Sequence, residues 1–120
     1  MFNFEKLDAW KKAITLANAV YAATKSFPPD ERFGLTNQLR RAAVSISSNL
    51  AEGCSRSARP DFARFVEIAA GSAFEVASQV AIARDQGYLS AAQFQSIQDA
   101  ALEITRMLSG LRQTLLRGQS

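Results

Sequence analysis

An all-α fold, an antiparallel up-down-up-down bundle of four helices, is what this sequence predicts, and three observations carry it. Apolar residues recur three and four apart along four separate stretches, the spacing that lines one helix face. The first three stretches run into helix-stopping residues, at Pro28–Pro29, Gly53 and Gly87. The connections between them are short, and short connections join antiparallel neighbours. No strand alternation, internal repeat or low-complexity tract competes with this reading.

The first helix is predicted over about 7–25, with Leu7, Trp10, Ile14, Ala17, Tyr21 and Thr24 as a heptad seam widened by Leu16 and Val20. FPPDERFG then breaks it, and the turn at Asp30–Phe33 is expected to fold back with Phe27 and Phe33 covering the end of the core. The second helix spans about 35–52. Leu39, Ala43, Ile46 and Leu50 form its apolar face, with Gly53 as a C-terminal cap able to take a positive φ. Beside that face runs a polar stripe, Gln38, Arg41, Ser45, Asn49 and Glu52, whose amides, hydroxyl and charges suggest specific partners.

Pro60 and Asp61 open the third helix, over about 60–86, because proline at the first turn gives up an N–H that has no partner there. Its seam is Phe62, Val66, Ala69, Ala73, Val76, Val80 and Ala83. Ser90 and Gln93 form a capping box for the fourth helix, over about 91–116. Phe94, Ile97, Ala101, Ile104, Leu108, Leu111 and Leu115 keep heptad spacing along it, and Leu116–Ser120 is expected to fray.

At 120 residues the chain is one domain, and 48% hydrophobic with 21% charged residues is an ordinary globular composition. No apolar run approaches the roughly 18–20 residues that span a bilayer. The start, MFNFEKLDAW, carries Glu5 and Asp8 and has no continuous apolar core, so no signal peptide and no membrane partner are expected, and the expected location is cytoplasmic.

There is no histidine, which removes the commonest general base and metal ligand and every Ser–His or Cys–His nucleophile pair. The single cysteine, Cys54, cannot pair internally or build a thiolate metal site alone. It reads as an incidental thiol, with a redox-sensitive one as the alternative. With no nucleophile motif, glycine-rich phosphate loop or metal constellation, no catalytic residue, cofactor or metal is assigned and no enzyme activity is expected.

The formal charge is +3. Ten of the fourteen basic residues are arginine, and Arg40, Arg41, Arg56, Arg59 and Arg64 lie within residues 40–64 against only Glu52 and Asp61. Arginine suits planar contacts to phosphate. Arg40, Arg56, Arg59 and Arg64 are therefore the nucleic-acid-binding candidates, for RNA or DNA, without base-edge readout.

Helix three carries more small residues than one core needs, at Ala70, Gly71, Ser72, Ala77 and Ala81, with Phe65 and Phe74 off the seam. Close approach of another backbone, within the bundle or from a second subunit, is the expected reason, and self-association the natural account. One broad face buried in a single bundle is the alternative.

With these residues assembled, the chain resembles the four-helix-bundle family encoded in intervening sequences of bacterial 23S rRNA genes. The matching pieces are FEKLDAW with Ala13, Phe27–Pro28, FGLTNQLRRAAVSISSNLAEG, IAAGSAFE and ITRMLSGL, in order and at the family's spacings, with Cys54 at a variable position. The resemblance implies a bundle often assembled as a ring-like homopentamer. It also implies a relation to the accessory variability determinant of diversity-generating retroelements, a basic pentamer that associates with a reverse transcriptase and binds nucleic acid. It implies no catalytic residue, since the shared motif is not catalytic. Two functions follow as alternatives: a nucleic-acid-associated, RNA-binding accessory module, or a structural scaffold that binds a partner protein without nucleic acid.

Antiparallel pairing of helices two and three about residues 56–57 sets Arg41 opposite Ser72 and Gln38 opposite Glu75. An inter-helix clasp of Gln38, Arg41, Ser72 and Glu75 is the expectation, with an Arg41–Glu75 ion pair at its centre; a ligand site built from the same groups is the alternative. Glu75→Ala is expected to cost about 3 kcal/mol if that pair is well buried and much less if it is solvated, measured by denaturant unfolding.

Overall fold

A computed structural model describes residues 1–117. Four helices, α1 (Asp8–Thr24), α2 (Leu35–Cys54), α3 (Arg59–Asp85) and α4 (Ala91–Leu116), follow two short 3-10 turns, Asn3–Lys6 before α1 and Pro29–Glu31 before α2. Each helix packs on its chain neighbours and α4 closes back on α1, while the diagonal pairs keep their Cα atoms more than 8 Å apart among the described residues. That is the predicted up-down-up-down ring, 49 Å long and 23 by 21 Å across. Residues 118–120 of the expected frayed end lie outside the described residues; Leu116 itself is helical.

The core follows the predicted stripes on α2, α3 and α4. Leu39, Ala43, Ile46 and Leu50 are wholly buried against Val66, Ala69, Ala73, Val76 and Val80 of α3, with Ile104 and Leu108 of α4. On α1 the expected seam shifts only in part, since Leu16, Ala17, Val20 and Thr24 are buried as expected. Ala13, Leu16, Ala17 and Val20 form the buried line, while Trp10 and Ile14 are half-buried and Tyr21 is exposed. Alanines at Ala9, Ala13, Ala17 and Ala23 allow α1 to lie close to its neighbours, and the larger aromatics stay on its flank.

The helix ends show where local chemistry is decisive. Gly87, with φ +80°, closes α3: its N–H bonds the Arg84 carbonyl at 2.9 Å and the Tyr88 N–H bonds the Ala83 carbonyl at 2.9 Å. This is the Schellman pattern that a left-handed glycine permits. Ser90 and Gln93 form the predicted capping box, with Gln93 N–H donating to Ser90 Oγ at 3.1 Å and Ser90 N–H to Gln93 Oε1 at 2.9 Å. Phe27 is buried as expected, but Phe33 is 85% exposed and covers nothing. Glu31 closes that corner instead. Its Oε1 accepts from the Leu35 N–H at 3.1 Å, capping α2, and its Oε2 accepts from the Tyr88 hydroxyl at 3.1 Å.

Two glycines differ from expectation. Gly53 is not a positive-φ cap; α2 runs through it to Cys54. A Cβ at Gly53 would sit 2.7 Å from Phe62 Cδ1 and 2.9 Å from Phe65 Cβ, so glycine is there to let α3 approach. Gly71 is the opposite case, since a Cβ there meets nothing within 4 Å. Close approach within the bundle is therefore not its reason.

The expectation that no apolar run could span a bilayer also needs correcting. By length and composition alone α3 is long and apolar enough, a test that the core helix of a soluble bundle passes as well. Its apolar residues divide between the seam and an outer face bearing Ile68, Phe74 and Ile82.

Gly53→Ala is expected to destabilise the fold by about 1–3 kcal/mol through overpacking on Phe62 and Phe65. Gly71→Ala should stabilise the isolated bundle by about 1 kcal/mol through helix propensity. Urea unfolding followed by circular dichroism reads both. The Tyr88 hydroxyl titrates above its ordinary 10.0, chiefly from desolvation and then from the bond to Glu31. The stability this contributes is complete below the ordinary value and is lost as pH rises through the raised one. Tyr88→Phe should flatten the fall of melting temperature on the alkaline side of pH 10.

Candidate functional site

The antiparallel helices bring one set of ends together: the starts of α1 and α3 and the finishes of α2 and α4. The bundle divides near the helix midpoints, with Glu103 counted beside its partner Lys12. That half holds Lys6, Lys11, Lys12, Arg56, Arg59, Arg64, Arg106, Arg112 and Arg117 against Glu5, Asp8, Glu52, Asp61, Glu67 and Glu103. Nine bases against six acids leave +3, and the other half, with five of each, is neutral. The whole formal charge of the chain thus resides at one end.

The four arginines singled out from sequence have separate surroundings. Arg40 lies in the neutral half, where its Nε donates to Thr24 Oγ1 at 2.8 Å and its guanidinium covers the Tyr21 ring at 4.6 Å. Fourteen residues of α2 separate it from Cys54, about 21 Å along the axis, so within one subunit it does not join the others. Arg59 donates to the carbonyls of Thr114 and Leu115 at 2.5 and 3.1 Å. These carbonyls belong to the last turn of α4, where the Arg117 N–H reaches only the Thr114 carbonyl, at 3.3 Å, so Arg59 adds a side-chain cap to that end. Arg56 lies over the Phe65 ring at 4.8 Å and 3.7 Å from a Glu52 oxygen, yet nearly half of its side chain stays exposed. Arg64 is exposed, with no hydrogen bond, ion pair or aromatic contact among the described residues. Arg112 adds a pair with Glu67 that ties α4 to α3, and Lys12 a pair with Glu103 at 3.2 Å that ties α1 to α4. Neither was foreseen, because both pairings depend on the tertiary register.

The predicted clasp is corrected in register and in pairing. Ser72 Oγ donates to Ser45 Oγ at 2.9 Å, so Ser72 faces Ser45 and not Arg41. The helix ends at Cys54 and Arg59 still centre the hairpin on residues 56–57, so the offset of one helical turn comes from how the helices pack, with Gly53 set against Phe62 and Phe65. Gln38, Arg41, Ser72 and Glu75 do line one cleft, together with Ala42, Ser45 and Gln79. Arg41 and Glu75 are both exposed, however, and no Arg41–Glu75 ion pair forms among the described residues.

Cys54 occupies the last position of α2, half-buried, and burial pushes its thiol above the usual range. A thiol held protonated is a poor nucleophile. Among the described residues no group of three acidic or cysteine side chains could hold a metal ion.

The fold and these surfaces define a small all-helical bundle with a basic end and a polar cleft. The family described as 23S rRNA-intervening sequence protein matches residues 5–110, and the chain belongs to that family. A solved structure from Bacteroides thetaiotaomicron VPI-5482, described as a protein with unknown function from the S23 ribosomal protein family, shares the fold with a TM-score of 0.78. It is 23% identical, and the alignment covers 87% of this chain and 97% of that one. No curated protein matches the chain. Neither the family description nor that of the neighbour names a catalytic activity.

Arg59→Ala should loosen the α4 terminus and cost about 1.5–3 kcal/mol, the worth of hydrogen bonds from a charged donor, less whatever solvent returns. Hydrogen exchange at Leu111–Leu115 reads this directly. A double-mutant cycle on Arg41 and Glu75 should show a coupling below about 0.5 kcal/mol, as expected of two solvated charges.

Proposed function

We propose that this protein is a non-catalytic, self-associating module that holds the phosphate backbone of RNA or DNA against the basic end of its bundle. The observation that supports the reading most is the confinement of the +3 charge to one end, with Arg64 exposed and Arg56 half-exposed there. Such a surface attracts polyanions without reading bases. Arg40 and Arg59 are not part of it, since both are committed to contacts inside the bundle.

Self-association multiplies the effect. Phe74 is 64% exposed beside the open Gly71, and Ile68 and Ile82 of α3 and Leu102 of α4 are exposed as well. An apolar surface of this kind invites a second copy. The pentamer and the kinship with the retroelement accessory determinant are taken from the family resemblance. A ring of five would repeat the basic end around one rim.

A scaffold that binds only protein is the second reading, and it is favoured by the same exposed apolar stripe and by the internal engagement of Arg40, Arg56 and Arg59. Anisotropy titrations with single-stranded RNA and duplex DNA over a salt series separate the two. Phosphate binding should weaken steeply with salt, and Arg64→Ala should lower the slope by about one unit for each phosphate its guanidinium had neutralised. Absence of binding at low salt leaves the scaffold. Light scattering should give a multiple of the 13.1 kDa chain, and a monomer mass at micromolar concentration would reject self-association.

A further inference from the structure

The cleft between α2 and α3 carries an unusual division of hydrogen-bonding capacity. Its volume is about 340 Å³, and it is lined almost wholly by polar side chains. From α2 come donors. Arg41 has no ion-pair partner among the described residues, and Gln38 projects its amide one turn away. Ser45 adds a third, because its Oγ already accepts from Asn49 Nδ2 and from Ser72 Oγ, each at 2.9 Å, so its own hydroxyl proton remains to be donated. From α3 come acceptors. Glu75 is a carboxylate with no ion-pair partner among the described residues. One turn further on, the Gln79 Oε1 is buried with no hydrogen-bond partner among them.

Two opposite charges that share a cleft without pairing leave both open to a third party. We propose that this cleft is a binding site for a free α-amino acid, its carboxylate held by Arg41 with Ser45 and Gln38, its ammonium by Glu75. A simple anion would satisfy only the α2 wall, and a simple cation only the α3 wall. A zwitterion whose charges lie on adjacent carbons spans both walls. The volume accepts a molecule of that size, and the neighbouring hollow at Tyr21, Asn37 and Val44, reached past Arg41, can take its side chain. Nucleic acid would use the opposite end of the bundle and leave this cleft open.

The test uses the intact protein in nitrogen-15-labelled form, titrated in turn with each of the twenty common L-amino acids at millimolar concentration. At least one should shift the amides of residues 38–45 and 72–79 in a saturable way. The α-amide of that amino acid, which lacks the carboxylate, and its N-acetyl derivative, which lacks the ammonium, should each bind about tenfold more weakly or worse. Arg41→Gln should abolish the preference for the free acid over its amide, and Glu75→Gln the preference over the N-acetyl form. Both positions are exposed, so the variants are expected to fold, and their unshifted amide spectra outside the cleft verify it. The proposal is overturned if no amino acid produces saturable shifts in the cleft, if the blocked derivatives bind as well as the parent, or if acetate or RNA produces the same shifts.

Discussion

Everything distinctive about this bundle depends on how closely α3 can approach the end of α2. At Gly53 the missing side chain lets the Phe62 ring and the Phe65 Cβ lie where a Cβ would stand 2.7–2.9 Å away. Close packing admits one solution at such a contact and penalises neighbouring ones, so it sets the register of the whole hairpin. One turn of slippage would move Ser72 off Ser45 and place a different set of polar residues at the α2–α3 cleft. The seam from Leu39 to Leu50 against Val66 to Val80 supplies the burial, while the glycine contact decides where along the helices that burial occurs.

The same register explains how the arginines divide their work. Arg59, at the start of α3, falls beside the finish of α4 and donates to the carbonyls of its last turn. Arg112 and Lys12 each reach an acid on an adjacent helix. What remains uncommitted at that end is a smaller basic surface than the count of arginines suggests, and it supports backbone attraction better than specific readout. The polar cleft lies toward the neutral half, where long-range attraction of polyanions is weak and local hydrogen bonding governs what can bind.

Helix three serves two environments at once. Its seam of Val66, Ala69, Ala73, Val76 and Val80 is buried, yet Ile68, Phe74 and Ile82 face outward. That double character gives it the length and apolarity of a bilayer span while it packs as one side of a bundle. Gly71, where a Cβ would meet nothing within 4 Å, belongs to the outer surface.

Periodicity, turn chemistry and capping residues are local properties, and the sequence alone determined everything that depends on them: four helices, their order, the buried faces of α2, α3 and α4, the Gly87 stop and the Ser90 box. The family was legible too, because its long motif lies within one helix. Tertiary structure decided the rest. Ile14 and Tyr21 fit a heptad seam as well as Ala13 and Leu16 do, and only packing against α2 and α4 chose which of them enter the core of α1. Gly53 has the composition of a cap, but whether a glycine serves its own φ or a neighbour's ring depends on what approaches it. Arg41 and Glu75 reach one cleft without pairing, while Glu67 and Glu103 acquire partners that no local pattern announces. Charge pairing varies over a few ångströms, and a register uncertain by one turn, about 5 Å, is enough to reassign every partner.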